Sequence, residues 1–196
     1  MRYPQDHKEQ ARQRLVEGGA RLAKRRGFAA AGVDDLAAAS GVTSGAVYKH
    51  FSGKSGLLAA IIEAELGRSA ARFASVPAGD VAQLVKALAA YLSPEHVEHP
   101  EAGCALPSLA ADVARADPEV RKQFEDGLLA VHASLKRHVG SNDAAWSLIA
   151  QSVGAVMLAR AMQDDAKRGK LLKAVKHGAH ALVRERWLPG RPRSAD

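Results

Sequence analysis

Apolar residues in this chain recur three and four positions apart, and no stretch alternates apolar and polar residues long enough to form a convincing strand. The helix predicted from Lys54 shows the period clearly in its apolar residues: Leu57, Leu58, Ile61, Ile62 and Leu66. Apolar residues make up 47% of the chain and aromatic residues only 5%, a composition that favours closely packed helices over a β-sandwich. We therefore predict an all-α fold.

Turn residues divide this helical pattern into segments. Helices are predicted over about residues 6–26, 33–40 and 44–50, over a long segment from Lys54, and over 81–92, 104–116, 118–139, 144–162 and 167–188. Residues 93–103, rich in Pro, His and Glu, are predicted to form a loop. Gly41 is expected to turn the chain with a positive φ. Gly18 and Gly19 lie inside the first helix, where another backbone is expected to approach closely.

Positive charge is concentrated at the start of the chain. Residues 1–55 hold ten Lys and Arg against five Asp and Glu, whereas the rest holds 18 against 16. This distribution is expected if only the first part meets a polyanion such as DNA. The start has no apolar core of a secretion signal, and no segment is predicted to span a membrane. A single cysteine excludes an internal disulfide, so a cytoplasmic location is predicted.

The stretch GVTSGAVYKHFSGKSGLL, residues 41–58, raises two alternatives. A phosphate-binding loop would need a Gly five residues before Gly53, after a strand, but Tyr48 stands there inside a predicted helix. Neither a Gly-x-Ser-x-Gly elbow nor a His-Glu-x-x-His helix occurs. We therefore predict no enzyme activity, no cofactor and no metal.

The second alternative is a short recognition helix that inserts into the major groove of DNA. On the helix predicted over 44–50, Val47 faces inward, whereas short polar side chains at its start can reach base edges. The base-facing residues are predicted to be Thr43, Ser44, Ala46 and Lys49. The residues predicted to hold the sugar-phosphate backbone are Tyr48, His50 and Lys54.

The segment GFAAAGVDDLAAASGVTSGAVYKHFSGKSGLLAAI resembles the N-terminal domain of the TetR family of transcriptional regulators. The resemblance implies a three-helix helix-turn-helix domain, a homodimer on a palindromic double-stranded DNA operator, and a C-terminal helical domain that binds a small effector. Two departures stand out. Gly32 occupies the position where the family usually has Thr or Ser, which puts one phosphate contact in doubt. Ala23 replaces the large aromatic residue typical of the first helix.

The domain organisation follows from this resemblance. Residues 1–54 are predicted to bind DNA, residues 55–190 to bind effector and dimerise through the last two helices, and residues 191–196 to form a disordered tail. Few charges fall on the apolar faces between residues 81 and 160, so an apolar or aromatic effector is expected there. The candidate pocket residues are Leu88, Tyr91, Cys104, Leu109, Val113, Phe124, Leu128, Trp146 and Val153.

Several alternatives stay open at this point. Cys104 at a helix start is a candidate sensor of electrophiles or oxidants, against the simpler interpretation that it fills a gap. His96, His99 and Cys104 have the ligand types for zinc sensing, although their spacing is irregular. Two functions of other classes also stay open. The protein could package DNA without regard to sequence, or it could be an enzyme that uses the C-terminal cavity.

Overall fold

The computed structural model describes residues 3–185 and contains ten α-helices and no strand within that range. The all-α prediction is therefore confirmed. The helices, in chain order, are α1 (Tyr3–Arg26), α2 (Val33–Ala39), α3 (Ser44–His50), α4 (Gly53–Ala74), α5 (Val81–Tyr91), α6 (Pro94–Glu98), α7 (Leu106–Ala114), α8 (Pro118–Val139), α9 (Asn142–Ala161) and α10 (Asp165–Glu185).

The predicted loop over residues 93–103 is wrong in its first half, because the short helix α6 forms there. Its start is stabilised by Ser93, whose hydroxyl accepts the backbone N–H of His96 at 3.2 Å. Pro94 occupies the first helical position, where its missing N–H costs nothing. The end of the last predicted helix and the tail over 191–196 lie outside the described residues.

The chain divides into two compact units that do not follow chain order. Unit 1 takes the described residues up to Leu66 together with Pro100–Gly127, and unit 2 takes Gly67–His99 together with those from Leu128 onward. Unit 1 thus contains the whole predicted DNA-binding segment and a separate segment of the chain, residues 100–127. The functional boundary between residues 54 and 55 stays a prediction.

Close backbone approach organises unit 1 around α1. A Cβ on Gly18 would lie 2.5 Å from Ser40 Oγ and 2.7 Å from the carbonyl oxygen of Ala39, at the end of α2. Ser40 is buried, and its hydroxyl donates to the carbonyl of Leu36 at 2.7 Å. The predicted close approach at the glycine pair is confirmed. It follows that α2 packs on α1 at a distance that only glycine permits.

Unit 2 packs α5, α6, α9 and α10 with the adjoining parts of α4 and α8. Its core includes Leu84 and Leu88 of α5 and Leu148, Val156 and Ala159 of α9. By length and mean hydropathy α9 is the one helix among residues 3–185 that has the composition of a membrane span. Seven of its side chains are buried in the structure, as expected for the core helix of a helical bundle.

A buried ion pair joins three parts of unit 1. Lys24 Nζ of α1 lies 3.0 Å from Glu65 Oε2 of α4, and the two side chains are only 4% and 5% exposed. The same ammonium group donates to the carbonyl oxygen of Gly103 at 2.9 Å, in the segment 100–127. Because a buried charge is tolerated only when paired, this contact holds α1, α4 and that segment in one arrangement.

Replacing one partner of this pair should cost more than replacing both. Glu65→Leu is expected to lower the free energy of unfolding by about 3–5 kcal/mol, because it leaves the Lys24 charge buried without its carboxylate. The double variant Lys24→Met/Glu65→Leu should recover most of that loss. Urea unfolding at one fixed protein concentration measures both. Equal losses in the single and double variants would show that the unpaired Lys24 charge is not the cause of the loss in Glu65→Leu.

Candidate nucleic-acid interface

A tight turn places α3 after α2. Gly41 has a φ of +66°, as predicted, and its N–H donates to the carbonyl of Ala38 at 3.1 Å. The N–H of Val42 donates to the carbonyl of Ala37 at 3.1 Å. Thr43 is extended, and α3 begins at the next residue. The helix-turn-helix arrangement of α2 and α3 is therefore built from backbone hydrogen bonds and one left-handed glycine.

The outward face of α3 consists of residues spaced three and four apart. Val47 is fully buried and anchors the helix, whereas Gly45, Tyr48 and Lys49 are exposed, Tyr48 to 65%. Thr43 is exposed at the leading end. The predicted residues Ser44, Ala46 and His50 are half-buried along the two margins of this face. The structure thus presents the predicted recognition residues on and beside one solvent-facing stripe.

The hydroxyl groups at the start of α3 do not cap the helix. Thr43 occupies the capping position, but its side chain makes no capping hydrogen bond. Ser44 Oγ instead donates to Asp34 Oδ1 of α2. At the start of α2, the N–H of Gly32 donates to Asp35 Oδ2 at 2.9 Å, and the glycine offers no hydroxyl for a phosphate.

Positive charge surrounds the end of α3. Arg12 of α1 lies over the ring of Phe51, with its guanidinium carbon 5.4 Å from the ring centroid. Partial burial lowers the pKa of His50, and the charges of Lys49, Lys8 and Arg12 lower it further, against an opposing effect of Glu9. The three neighbouring cations make the potential near His50 locally positive, and a positive potential attracts phosphate groups.

Lys54 is held against the turn between α1 and α2. Its Nζ donates to the carbonyl of Ala29 at 3.2 Å and lies 5.0 Å from the centroid of the Phe28 ring. The side chain is half-buried in the first turn of α4. A lysine anchored in this way presents its charge from a fixed position.

Asp112 of α7 binds the other side of the same turn. Its carboxylate accepts the N–H of Phe28 at 2.9 Å and that of Ala29 at 3.2 Å, and its side chain is only 10% exposed. A second contact joins Ser55 Oγ of α4 to Asp117 Oδ2 at 2.5 Å. With the bond from Lys24 to Gly103, these contacts attach the segment 100–127 to α1, to the α1–α2 turn and to α4.

Three residues of this interface escaped the sequence analysis: Asp34, Gly45 and Asp112. Asp34 lies in the first turn of α2, where acidic residues are common without any role in binding. Gly45 carries no side chain, yet the spacing from Tyr48 and Lys49 places it on their face. Asp112 lies 84 residues along the chain from its partner Phe28, and no local sequence pattern predicts such a contact.

The candidate pocket residues are distributed over both units. Leu109 and Val113 are buried and Cys104 and Phe124 half-buried in unit 1. In unit 2, Leu88 is buried, Trp146 is 39% exposed and stacks on His132 at 4.2 Å, and the others are half-buried against the core: Tyr91, Leu128 and Val153. A shallow depression of about 510 Å³ on α8 is lined by other residues, from Pro118 to Asp126. The effector pocket stays a prediction.

The candidate metal ligands belong to different units, with His96 and His99 in unit 2 and Cys104 in unit 1. His96 Nδ1 lies 2.6 Å from the carbonyl of Tyr91, and His99 Nε2 lies 3.6 Å from Glu95. Within residues 3–185, no three His, Cys, Asp or Glu side chains converge as a metal site would require. Cys104 is half-buried, one position before the residue that caps α7.

The bond between Asp112 and the α1–α2 turn should contribute measurably to stability. Asp112→Ala is expected to lower the free energy of unfolding by about 1.5–3 kcal/mol, because two N–H groups lose a charged acceptor. Asp112→Asn keeps one oxygen and should lose less. The matched control is Asp126→Ala, which removes an exposed carboxylate paired only with Lys122 and should cost under about 0.5 kcal/mol. Urea unfolding compares all three, and an Asp112→Ala loss no larger than the control would contradict the assignment.

Comparisons with known proteins agree with this geometry. Residues 15–61 match the family profile described as bacterial regulatory proteins, tetR family. No protein in the curated set matches the sequence significantly.

Solved structures extend the match over most of the chain. A TetR transcriptional regulator from Chloroflexus aurantiacus superposes with a TM-score of 0.73 at 22% identity, over 92% of this chain and 97% of that one. The reduced form of NemR from E. coli gives a TM-score of 0.70 at 20% identity, over 88% and 97%. A TetR-family regulator from Cytophaga hutchinsonii gives 0.71 at 19% identity, over 91% and 96%.

The profile match covers α2, α3 and the adjoining parts of α1 and α4, which are the helices that carry the exposed stripe and its positive surroundings. Residues 15–61 are therefore similar to the tetR family of bacterial regulatory proteins, and the chain has the all-α fold of the solved TetR-family transcriptional regulators.

Proposed function

We propose that this protein is a sequence-specific, cytoplasmic transcriptional repressor that leaves its operator when a small apolar or aromatic effector binds the C-terminal helices. The observation that carries this proposal is the outward stripe of α3, with Thr43, Gly45, Tyr48 and Lys49 exposed beside a positively charged margin. A regulator of this kind needs no catalytic groups, and the proposal assigns none.

The size and chemistry of α3 fit a major groove. An α-helix with its side chains is about 10–12 Å across, and the major groove is about 12 Å wide, so α3 can enter it. Thr43, Ser44, Ala46 and Lys49 are proposed to face base edges, where hydroxyl, methyl and ammonium groups each have partners. Tyr48, His50 and Lys54 are proposed to hold phosphates, which position the helix without reading sequence.

A homodimer follows from the number of bases that one short helix can read. Two heads about 34–36 Å apart on a palindromic operator would double the contact. The helix α9 supports this arrangement, because its Trp146, Met157 and Leu158 are exposed to 39%, 42% and 60%. Exposed apolar side chains of this size gathered on one helix are typical of a surface that another protein covers. We propose that α9 and α10 of a second copy cover it.

We propose that the segment 100–127 transmits the effect of effector binding to the DNA-binding helices and so causes release of the operator. Asp112, Asp117 and Gly103 of this segment bind the α1–α2 turn, α4 and α1 within unit 1. An effector that displaced α7 would have to move the DNA-binding helices or break these bonds. It would act only to the extent that it binds the released arrangement more tightly than the DNA-bound one.

Binding to the DNA flanking its own gene tests the proposed function. We expect fluorescence anisotropy to give an affinity at least about 10³-fold tighter than for random duplex at the same salt. Equal affinities would instead indicate a DNA-packaging protein.

A thermal-shift screen of apolar compounds, read together with DNA release, tests the effector. Turnover of a bound compound would revive the enzyme alternative.

Gly45 offers a test of how closely α3 approaches DNA. Apart from its chain neighbours and its own helix backbone, the nearest atom of the described residues to a Cβ there would be Thr43 Oγ1 at 4.0 Å, so Gly45→Ala should raise the free energy of unfolding by about 0.5–1 kcal/mol. The added methyl group should weaken operator binding by roughly 1–3 kcal/mol, because it fills space that the groove floor occupies.

The matched control for this variant is Gly67→Ala, an exposed glycine in α4 with open space around its Cβ position. It should give a similar gain in stability with unchanged operator affinity. Thermal unfolding and anisotropy on both variants separate the two effects. Full operator affinity in Gly45→Ala would mean that α3 does not lie against the bases.

A further inference from the structure

A side-chain pair at the leading end of α3 restricts what Ser44 can recognise. Ser44 Oγ donates its hydrogen to Asp34 Oδ1, and Asp34 is exposed on α2 beside the start of α3. A serine hydroxyl carries one hydrogen and a carboxylate carries none. Once the Ser44 hydrogen is committed to Asp34, both groups have only lone pairs left for another partner.

We propose that Asp34 and Ser44 together form an acceptor-only reader that selects a base with an amino group in the major groove. Only adenine, through N6, and cytosine, through N4, offer such a donor there. Guanine and thymine present oxygen acceptors at the equivalent positions, and these would face the serine and carboxylate oxygens without a hydrogen between them. Each half of the operator should therefore carry adenine or cytosine opposite Ser44. This inference rests on the proposed function.

The neighbouring carboxylate, Asp35, binds a different group, and the Asp34–Ser44 hydrogen bond is not a helix-capping bond. The carboxylate of Asp35 accepts the N–H of Gly32 at 2.9 Å at the start of α2. The side chain of Thr43 makes no capping hydrogen bond. Asp34 therefore orients the Ser44 hydroxyl specifically, and Ser44 without Asp34 would be free to turn its hydrogen toward guanine or thymine.

Asp34 also adds a negative charge close to a polyanion. Removing this charge should strengthen binding to every duplex, and that general effect must be separated from base selection. Asp35 provides the control, because it lies next to Asp34 on the same helix and has no bond to Ser44. Asp35→Asn removes the same charge, and its remaining amide oxygen can still accept the Gly32 N–H.

The experiment is selection of preferred sites from random duplex by the full-length protein and by three variants: Ser44→Ala, Asp34→Asn and Asp35→Asn. We expect the wild type to require adenine or cytosine at one position of each half-site, with about a tenfold loss for guanine or thymine, as is usual for one mismatched base pair. Ser44→Ala should lose that preference. Asp34→Asn should accept guanine or thymine there, because the amide that replaces the carboxylate carries N–H donors beside Ser44, whereas Asp35→Asn should keep the wild-type preference.

Base analogues give an independent readout at the same position. Purine in place of adenine, which lacks the 6-amino group, should weaken wild-type binding about tenfold and leave Ser44→Ala binding unchanged. Thermal unfolding of each variant confirms that the fold is retained.

The outcomes separate this inference from the proposed function. A wild-type protein that selects no site at all would overturn both. A selected site whose Ser44-dependent position holds guanine or thymine would overturn the acceptor-only reader alone. So would an Asp34→Asn variant with unchanged preference, or an Asp35→Asn variant that relaxes it equally.

Discussion

The turn between α1 and α2 has to satisfy backbone groups that neither helix can pair, and the way it does so governs unit 1. The N–H groups of Phe28 and Ala29 bind the carboxylate of Asp112, and the carbonyl of Ala29 binds Lys54. Because unpaired backbone groups are costly when shielded from water, the turn takes partners from two distant parts of the chain. That requirement attaches α2, and therefore α3, to both α4 and α7.

The α1–α2 turn and its partners hold α3 in place, although α3 itself makes few buried contacts. Val47 is the one fully buried residue of α3, and the rest of the short helix is half-buried or exposed. A helix this short is not stable alone, so its orientation comes from α1 and α2, which approach each other at Gly18. Because these supporting helices also bind the segment 100–127, the position of α3 depends on that segment. We propose that effector binding changes the position of α3 through these contacts.

Local patterns predicted much of this structure. The ends of α3 and the positive φ of Gly41 follow from turn chemistry, which acts over a few residues. The helix α6 was missed because five residues are too few to show a helical period, and the structure shows that Ser93 caps its start. Buried residues such as Leu109 were predicted as pocket candidates from apolar periodicity, but periodicity does not distinguish a core from a cavity wall.

The sequence by itself determined the helical fold, the helix-turn-helix and the exposure of Thr43, Tyr48 and Lys49, because these depend on spacing and on local backbone preferences. Only the tertiary structure decided which partners the polar groups have. Asp112 with Phe28, Lys24 with Glu65, and Asp34 with Ser44 are joined across 10 to 84 residues of chain. Hydrogen bonds and ion pairs of this kind depend on the distance between two groups in space and not on their separation along the chain. Sequence periodicity therefore cannot predict them.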